Sequence, residues 1–276
     1  MIFYQLEMEK YKMNKGTIEG TKAEIDFVKY MNKNKNSQLW NLIKKDFGIS
    51  DLSNYYYIRV TKHVISHLNN KKVFPKSDAY IIKATIPNDF LIEHDYFLDE
   101  ENYNVNEKQI LIGSGTSIKR PDSSKFQIIK MVPDSFYKLF NNYYLGAAAS
   151  LYCNAKELNK NDCVINGWKT SWQELEDNLP NDLNIKSYTI LDEENKVFLC
   201  SNIKKYANDK IKHIILNDSK LTDIVFKGKY IYDEPYCAKY LFINNNLEYN
   251  KPFDFCVTTG SGRSKGIFTI VLKPKN

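Results

Sequence analysis

The residues in this chain that combine the right types and spacing for chemistry are Asp78, Ser117, Lys119 and, nearer the N-terminus, Glu24. Carboxylates hold hard cations such as Mg²⁺ through oxygen. A metal between water and a phosphate both lowers the water's pKa and takes up developing charge, and a nearby ammonium completes a set suited to phosphodiester hydrolysis. Ser117 and Lys119 are two apart at the end of a strand-like run, so both project from one face and Ile118 from the other. Asp78 begins another such run. Each residue alone reads as a solvated surface group, and only the combination points to a site.

Other chemistries find less support. The five cysteines, Cys153, Cys163, Cys200, Cys237 and Cys256, include no Cys-x-x-Cys pair, which argues against a zinc site. His63 and His67 are four apart on what reads as a possible helix, but Val64 stands where a zincin has glutamate. Tyr55, Tyr56 and Tyr57 suit base stacking or ordinary packing. Neither glycine-rich segment is a Walker A loop, and no Ser-His-Asp or Cys-His set can be located from residue order. Two further acid-x-Lys triplets exist, Glu194-Asn195-Lys196 and Asp218-Ser219-Lys220. The first falls in an expected turn, and the second lacks an upstream strand with a matching Asp, so Asp78 with Lys119 is preferred.

The elements that must position these groups follow from apolar periodicity. Helical stripes run from Thr17 to about Tyr30 and from Gln38 to Phe47, and Glu24 lies on the first, beside an apolar face of Ile25, Phe27 and Val28. Strand formers occupy Ser77 to Ile86 and Gln109 to Lys119, with a polar loop over residues 88–108 between them. Asp134 to Asn154 reads as helix. Beyond it, Tyr188–Leu191 and Val197–Cys200 around the turn Asp192-Glu193-Glu194-Asn195 suggest a hairpin. His213–Leu216, Ile224–Phe226, Tyr240–Ile243 and Ile267–Leu272 continue a strand-like series. The expected fold is mixed α/β, an α+β sheet flanked by helices with a strand-rich second half. No compositional break marks a linker, so residues 1–276 are expected to form one domain, although two lobes are not excluded. Its catalytic elements fall mainly within 15–150 and its recognition part within 151–276.

A hydrophobic content of 43% supports a folded core, and a formal charge of +6 is compatible with a polyanionic partner without requiring one. The N-terminus shows no leader-like pattern and no apolar run is long enough to span a membrane, so a cytoplasmic protein with reduced thiols is expected.

Three segments, Gly20-Thr21-Lys22-Ala23-Glu24-Ile25-Asp26-Phe27-Val28, Lys76-Ser77-Asp78-Ala79-Tyr80 and Ser117-Ile118-Lys119-Arg120-Pro121-Asp122-Ser123, resemble the motifs of PD-(D/E)xK type II restriction endonucleases. The similarity spans roughly the first half of the chain. It implies a restriction-endonuclease-like core, with Glu24 and Asp78 as ligands of one or two Mg²⁺ ions and Lys119 as the catalytic lysine that orients water. Ser117 stands at the place of the motif's second acid, as in a subset of these nucleases that draws the missing carboxylate from a helix. Glu24, Asp122 and Asp134 are the candidates for that role. The motif's proline is at Pro75 rather than next to Asp78. The resemblance further implies double-stranded DNA as substrate, a homodimer and a cognate DNA methyltransferase in the same system. A DNA-binding protein that does not cut is the alternative, with Ser117 marking a dead site.

Arg120, Lys125, Arg263, Ser264 and Lys265 are the candidate DNA contacts. In Gly260-Ser261-Gly262-Arg263-Ser264-Lys265-Gly266, glycines allow close backbone approach and Arg263 offers a fork for a guanine edge. The same segment also reads as a plain turn before the last strand. Binding to cognate and scrambled duplexes across a salt series separates the two. A base-reading Arg263 predicts a loss of about 1–3 kcal/mol and relaxed specificity in Arg263→Ala, and a phosphate-bound Lys265 predicts a salt slope lower by about one in Lys265→Ala. A turn predicts neither.

Overall fold

The structure, a computed structural model, describes residues 15–98, 108–120, 126–151, 157–260 and 268–275. Mixed α/β architecture is observed, in two compact units interleaved along the chain. The first comprises Met1–His67, Lys71–Ser123 and Lys227–Asn250, and the second Leu68–Asn70, Ser124–Phe226 and Lys251–Asn276. No helix among the described residues is long and apolar enough to cross a membrane.

The first unit is built on a six-stranded mixed sheet. Helix α1 (Lys15–Lys33) and helix α2 (Leu39–Phe47) lead into strand β1 (Tyr55–Arg59), which pairs antiparallel with β4 (Ala79–Lys83). A two-stranded ribbon, β2 (Val64–Ser66) with β3 (Lys71–Val73), lies between them in sequence. His63 and His67 flank strand β2, not a helix. Strand β4 also pairs with β5 (Gln109–Ile110) and, at Ala79 opposite Thr116, with β6 (Thr116–Ile118). Strand β6 runs parallel to β8 (Tyr240–Ile243), which turns back into β9 (Asn246–Tyr249). The long separation between Asp78 and Ser117 is taken up by this excursion: a short helix α3 (Asn88–Glu93) buries Leu91 before β5 folds back onto β4.

Helix α1 is seated by its apolar stripe, with Phe27, Val28 and Met31 buried against the sheet. Asn32 fixes its register. Its Nδ2 donates to the Tyr57 carbonyl (2.9 Å) and its Oδ1 accepts from the Tyr57 N–H (2.8 Å), so one amide satisfies both backbone groups of an edge-strand residue. The Trp40 indole donates to the Met31 carbonyl and ties α2 to the end of α1.

The second unit packs helices around a three-stranded antiparallel sheet ordered β10 (Phe255–Thr259), β11 (Ile270–Pro274), β7 (Ile129–Met131). Helices α4 (Pro133–Phe140) and α5 (Tyr144–Ser150) occupy the segment expected to be helical, separated by Asn141 in the left-handed region (φ 54°). Further helices are α6 (Asn161–Gly167), α7 (Trp172–Asn178), α8 (Glu193–Asn217) and α9 (Ser219–Lys227). The small residues of α5 admit close packing, since a Cβ on Gly146 would lie 2.1 Å from the Trp168 ring.

The second half is therefore richer in helix than the sequence suggests. The hairpin expected over 188–200 is the start of α8: Asp192 accepts from the Asn195 N–H and caps the helix, and Glu193 and Glu194 occupy its positive first turn. His213–Leu216 and Ile224–Phe226 are likewise helical. Leu199, Cys200, Ile203, Ala207, Ile211 and Ile215 form one buried stripe at three- and four-residue spacing. The strands expected at 240–243 and near the C-terminus are present.

Asp46 ties α2 to the far side of the first sheet, accepting from the hydroxyls of Tyr240 (2.7 Å) and Tyr249 and pairing with Lys239 (2.8 Å). Burial opposes its charge, but hydrogen bonds from Lys239, Tyr249 and Tyr240 prevail and hold its carboxyl down at about 2. Because the folded pKa lies below the unfolded value, this stabilisation is complete above about pH 4 and fades as pH falls toward 2. Asp46→Ala is expected to lower the unfolding free energy at pH 7 by about 2–3 kcal/mol. In urea titrations the gap from wild type should narrow between pH 4 and pH 2.

Candidate active site

The sequence places Glu24, Asp78, Ser117 and Lys119 far apart, and the first unit brings them together at one end of its sheet. Asp78 immediately precedes β4. Its N–H donates to the Thr116 carbonyl (2.8 Å) and its carbonyl accepts from the Val60 N–H (2.9 Å), so its backbone is held from both sides. Its side chain turns onto β6. Oδ2 accepts from the Ile118 N–H (2.6 Å) and the Ser117 hydroxyl (3.1 Å) and lies 3.7 Å from Lys119 Nζ. Among the described residues no hydrogen bond falls on Oδ1.

Lys119 follows the last residue of β6, and its N–H donates to Phe242 of the parallel neighbour β8. Ser117 is buried and donates to Asp78. It therefore positions that carboxylate and supplies no carboxylate of its own. Glu24 comes from α1. Its Oε2 lies 3.7 Å from Nη2 of Arg59, an ionic contact longer than a hydrogen bond. Burial pushes the Glu24 carboxyl up to about 7, and the negative charge of Asp78 adds to the rise. Arg59 and Lys119 work against it.

Arg59 and Lys76 complete the electrostatics and were not singled out from sequence. Arg59 is buried at the end of β1, and its Nε has no hydrogen-bond partner among the described residues. Lys76 lies two residues before Asp78. Burial, with a contribution from the charge of Lys119, brings its ammonium down to about 7 against the pull of Asp78. A signal for Arg59 exists in the sequence: it is the one charge in Tyr-Tyr-Tyr-Ile-Arg-Val, on the same face as the buried Tyr57. Lys76 has no such signal, because its neighbours are distant in sequence: a Cβ on Gly228 would lie 2.8 Å from the Cβ of Lys76.

The remaining candidates divide. Arg120 pairs with Glu19 of α1 close to the site. Asp134 belongs to the second unit, where it pairs with Lys169. Asp122, Lys125, Arg263, Ser264 and Lys265 lie outside the described residues. The rival triplets have structural roles: Asp218 accepts from the N–H groups of Lys220 and Leu221 at the start of α9, and Glu194 with Lys196 sits in the first turns of α8. In the other glycine-rich segment, Gly113 donates its N–H to the Glu234 carboxylate (3.2 Å). A Cβ on Gly115 would lie 1.8 Å from the Cys237 carbonyl oxygen. Those glycines thus serve turn and packing.

No family model matches this chain, and no curated protein matches it.

The donor set suits a hard cation. Two carboxylates approach each other in a partly desolvated place, and their repulsion is what a divalent ion relieves. Among the described residues no group of three or more His, Cys, Asp or Glu side chains forms a metal cluster. The fit is therefore to an ion held by one or two carboxylates and otherwise by water and substrate oxygens, which is the habit of Mg²⁺.

The raised pKa of Glu24 yields a sign. The folded state keeps a proton that the unfolded chain releases above about pH 4.5, so a stability penalty grows through pH 4.5–7 and is complete above 7. Glu24→Gln is expected to raise the melting temperature at pH 8 and leave it nearly unchanged at pH 4.5. Mg²⁺ should raise the wild-type melting temperature at pH 8, less at pH 5.5, and not that of the variant. Calorimetry with and without Mg²⁺ checks all three.

Proposed function

We propose that the protein is a Mg²⁺-dependent endonuclease of restriction type that hydrolyses phosphodiester bonds in double-stranded DNA in the cytoplasm. The observation that carries this reading is the meeting of Glu24, Asp78 and Lys119 at one end of a mixed sheet. Glu24 and Asp78 are the residues to hold the ion, Asp78 through the Oδ1 that its own hydrogen bonds leave open. A divalent ion bound there supplies a lowered pKa for an attacking water and positive charge for the phosphate.

The chain's own groups do the rest. Ser117 and the Ile118 N–H fix the Asp78 carboxylate, so it is held in place before substrate arrives. Lys119 stands where it can hydrogen-bond a water or a phosphate oxygen, and its contact with Asp78 keeps the ammonium in place. Arg59 offsets the charge of Glu24 once that carboxyl gives up its proton. On this reading the enzyme works as a homodimer on a two-fold symmetric site, beside a methyltransferase that protects the host sequence.

A second reading, a DNA-binding protein that does not cut, is favoured by Ser117 at the acid position. Incubation with mixed plasmid DNA, with and without Mg²⁺, separates them. Discrete Mg²⁺-dependent fragments support the nuclease, whereas a metal-independent gel shift without cutting supports the binder. For the nuclease, Asp78→Ala and Lys119→Ala are each expected to lower the single-turnover cleavage rate by about 10²–10⁴-fold or more, with sequence-specific binding retained. Near wild-type cutting by either variant would remove that residue from the site.

A further inference from the structure

Beside the carboxylates, still within the first unit, lies a cavity of about 800 Å³. That is within the roughly 300–1,000 Å³ of small-molecule clefts, and the cavity is open to solvent on one side. Its walls carry charged side chains of both signs, Glu19, Lys22, Asp26 and Arg120, and beside them three kinds of chemistry. Tyr30, 47% exposed, and the half-buried Phe242 of β8 supply aromatic surface, backed by the buried ring of Phe27, whose centroid is 4.5 Å from that of Phe242. Gln38 and Asn245 supply amides that can both donate and accept. Lys119 belongs to the wall and to the carboxylate site at once, with its Nζ 3.7 Å from Asp78 Oδ2.

We infer that this cavity takes one nucleotide of the bound strand, swung out of the base stack, with its phosphate toward Lys119 and its base against Tyr30 and Phe242. The inference rests on the nuclease reading for the phosphate and adds to it the state of the substrate. Each wall matches one part of such a ligand: aromatic surface accepts the π-face of any base, amides address its edge, and the ammonium faces the backbone. A base stacked in a duplex keeps its π-face covered by its neighbours, so it can lie on the aromatic wall only after leaving the stack, and extrusion costs least where the base is already unpaired. DNA with an unpaired or displaced nucleotide is therefore the preferred ligand.

The test uses the full 276-residue chain and fluorescein-labelled duplexes, fully paired or carrying one unpaired thymidine, with affinity read by anisotropy in EDTA. The wild type is expected to bind the unpaired substrate about tenfold more tightly than the paired one. Tyr30→Ala, an exposed position, should reduce that preference to about twofold or less, and Tyr30→Phe should restore it because stacking needs the ring and not the hydroxyl. Ala23→Leu, which narrows the cavity from α1, should act like Tyr30→Ala.

Equal wild-type affinity for the two duplexes overturns the inference, as does a preference that survives both Tyr30→Ala and Ala23→Leu. Displacement by free thymidine monophosphate at the concentration at which the strand itself competes would make the cavity a mononucleotide site and overturn it too. Cleavage of plasmid in Mg²⁺, run in parallel, keeps the two readings apart. Cutting without the preference sinks only the inference, and the preference without cutting sinks only the nuclease.

Discussion

Where β4 and β6 part, after a single paired position at Ala79 and Thr116, the Ile118 N–H is left facing a strand that is no longer there. The Asp78 carboxylate takes the place of the missing carbonyl. A buried N–H must find an acceptor, so the side chain that completes the sheet is committed in position whatever else it does. From that commitment the rest of the site follows. Ser117 closes on the same oxygen, Lys119 is brought alongside, and the other carboxylate oxygen accepts no hydrogen bond among the described residues. An aspartate here is both a piece of backbone ladder and a piece of chemistry, and its aim costs no reorganisation when substrate arrives.

The charges around it are held at a loss. Glu24 is made to face a second carboxylate away from bulk water, Arg59 is buried with one nitrogen unpaired, and Lys76 is pushed toward neutrality beside Lys119. A sheet edge optimised for stability would carry apolar residues at such positions. Three ionisable groups whose environments disfavour their charged forms, or leave them incompletely paired, mark a place that gains by admitting something from outside. The seating of α1 through Asn32 is what holds this tension, because the register of Asn32 on Tyr57 decides which α1 residue faces Arg59.

Local pattern in the sequence reached the helices α1 and α2, the strands bearing Asp78 and Lys119, and the convergence of those two residues with Glu24. Such features follow from apolar spacing and from the two-residue alternation of Ser117 and Lys119. What it missed depended on contacts distant in sequence. Asp192-Glu193-Glu194-Asn195 has turn composition, and only the buried stripe from Leu199 to Ile215 reveals that it opens a long helix. Asp218 in an acid-x-Lys triplet looks like Asp78 with a different address until its carboxylate is seen capping α9. Lys76 packs against Gly228, more than a hundred residues away. The division into two units was invisible because Lys227–Asn250 returns to the first after the second has been largely built.

Strand β1 ends the first sheet, yet its outward N–H groups are all engaged: Tyr55 with the Leu52 carbonyl, Tyr57 with Asn32 Oδ1, Arg59 with the Tyr96 carbonyl. Bare strand edges invite another strand to add on, and through it uncontrolled assembly. Here the chain's own loops and one amide act as a stopper along the whole length of β1. A second copy arriving at this border would have to displace three hydrogen bonds before forming any, so self-association by extending the sheet past β1 is closed off. A strand from a second copy is thereby kept from lining up along β1, beside Arg59 and the carboxylates next to it.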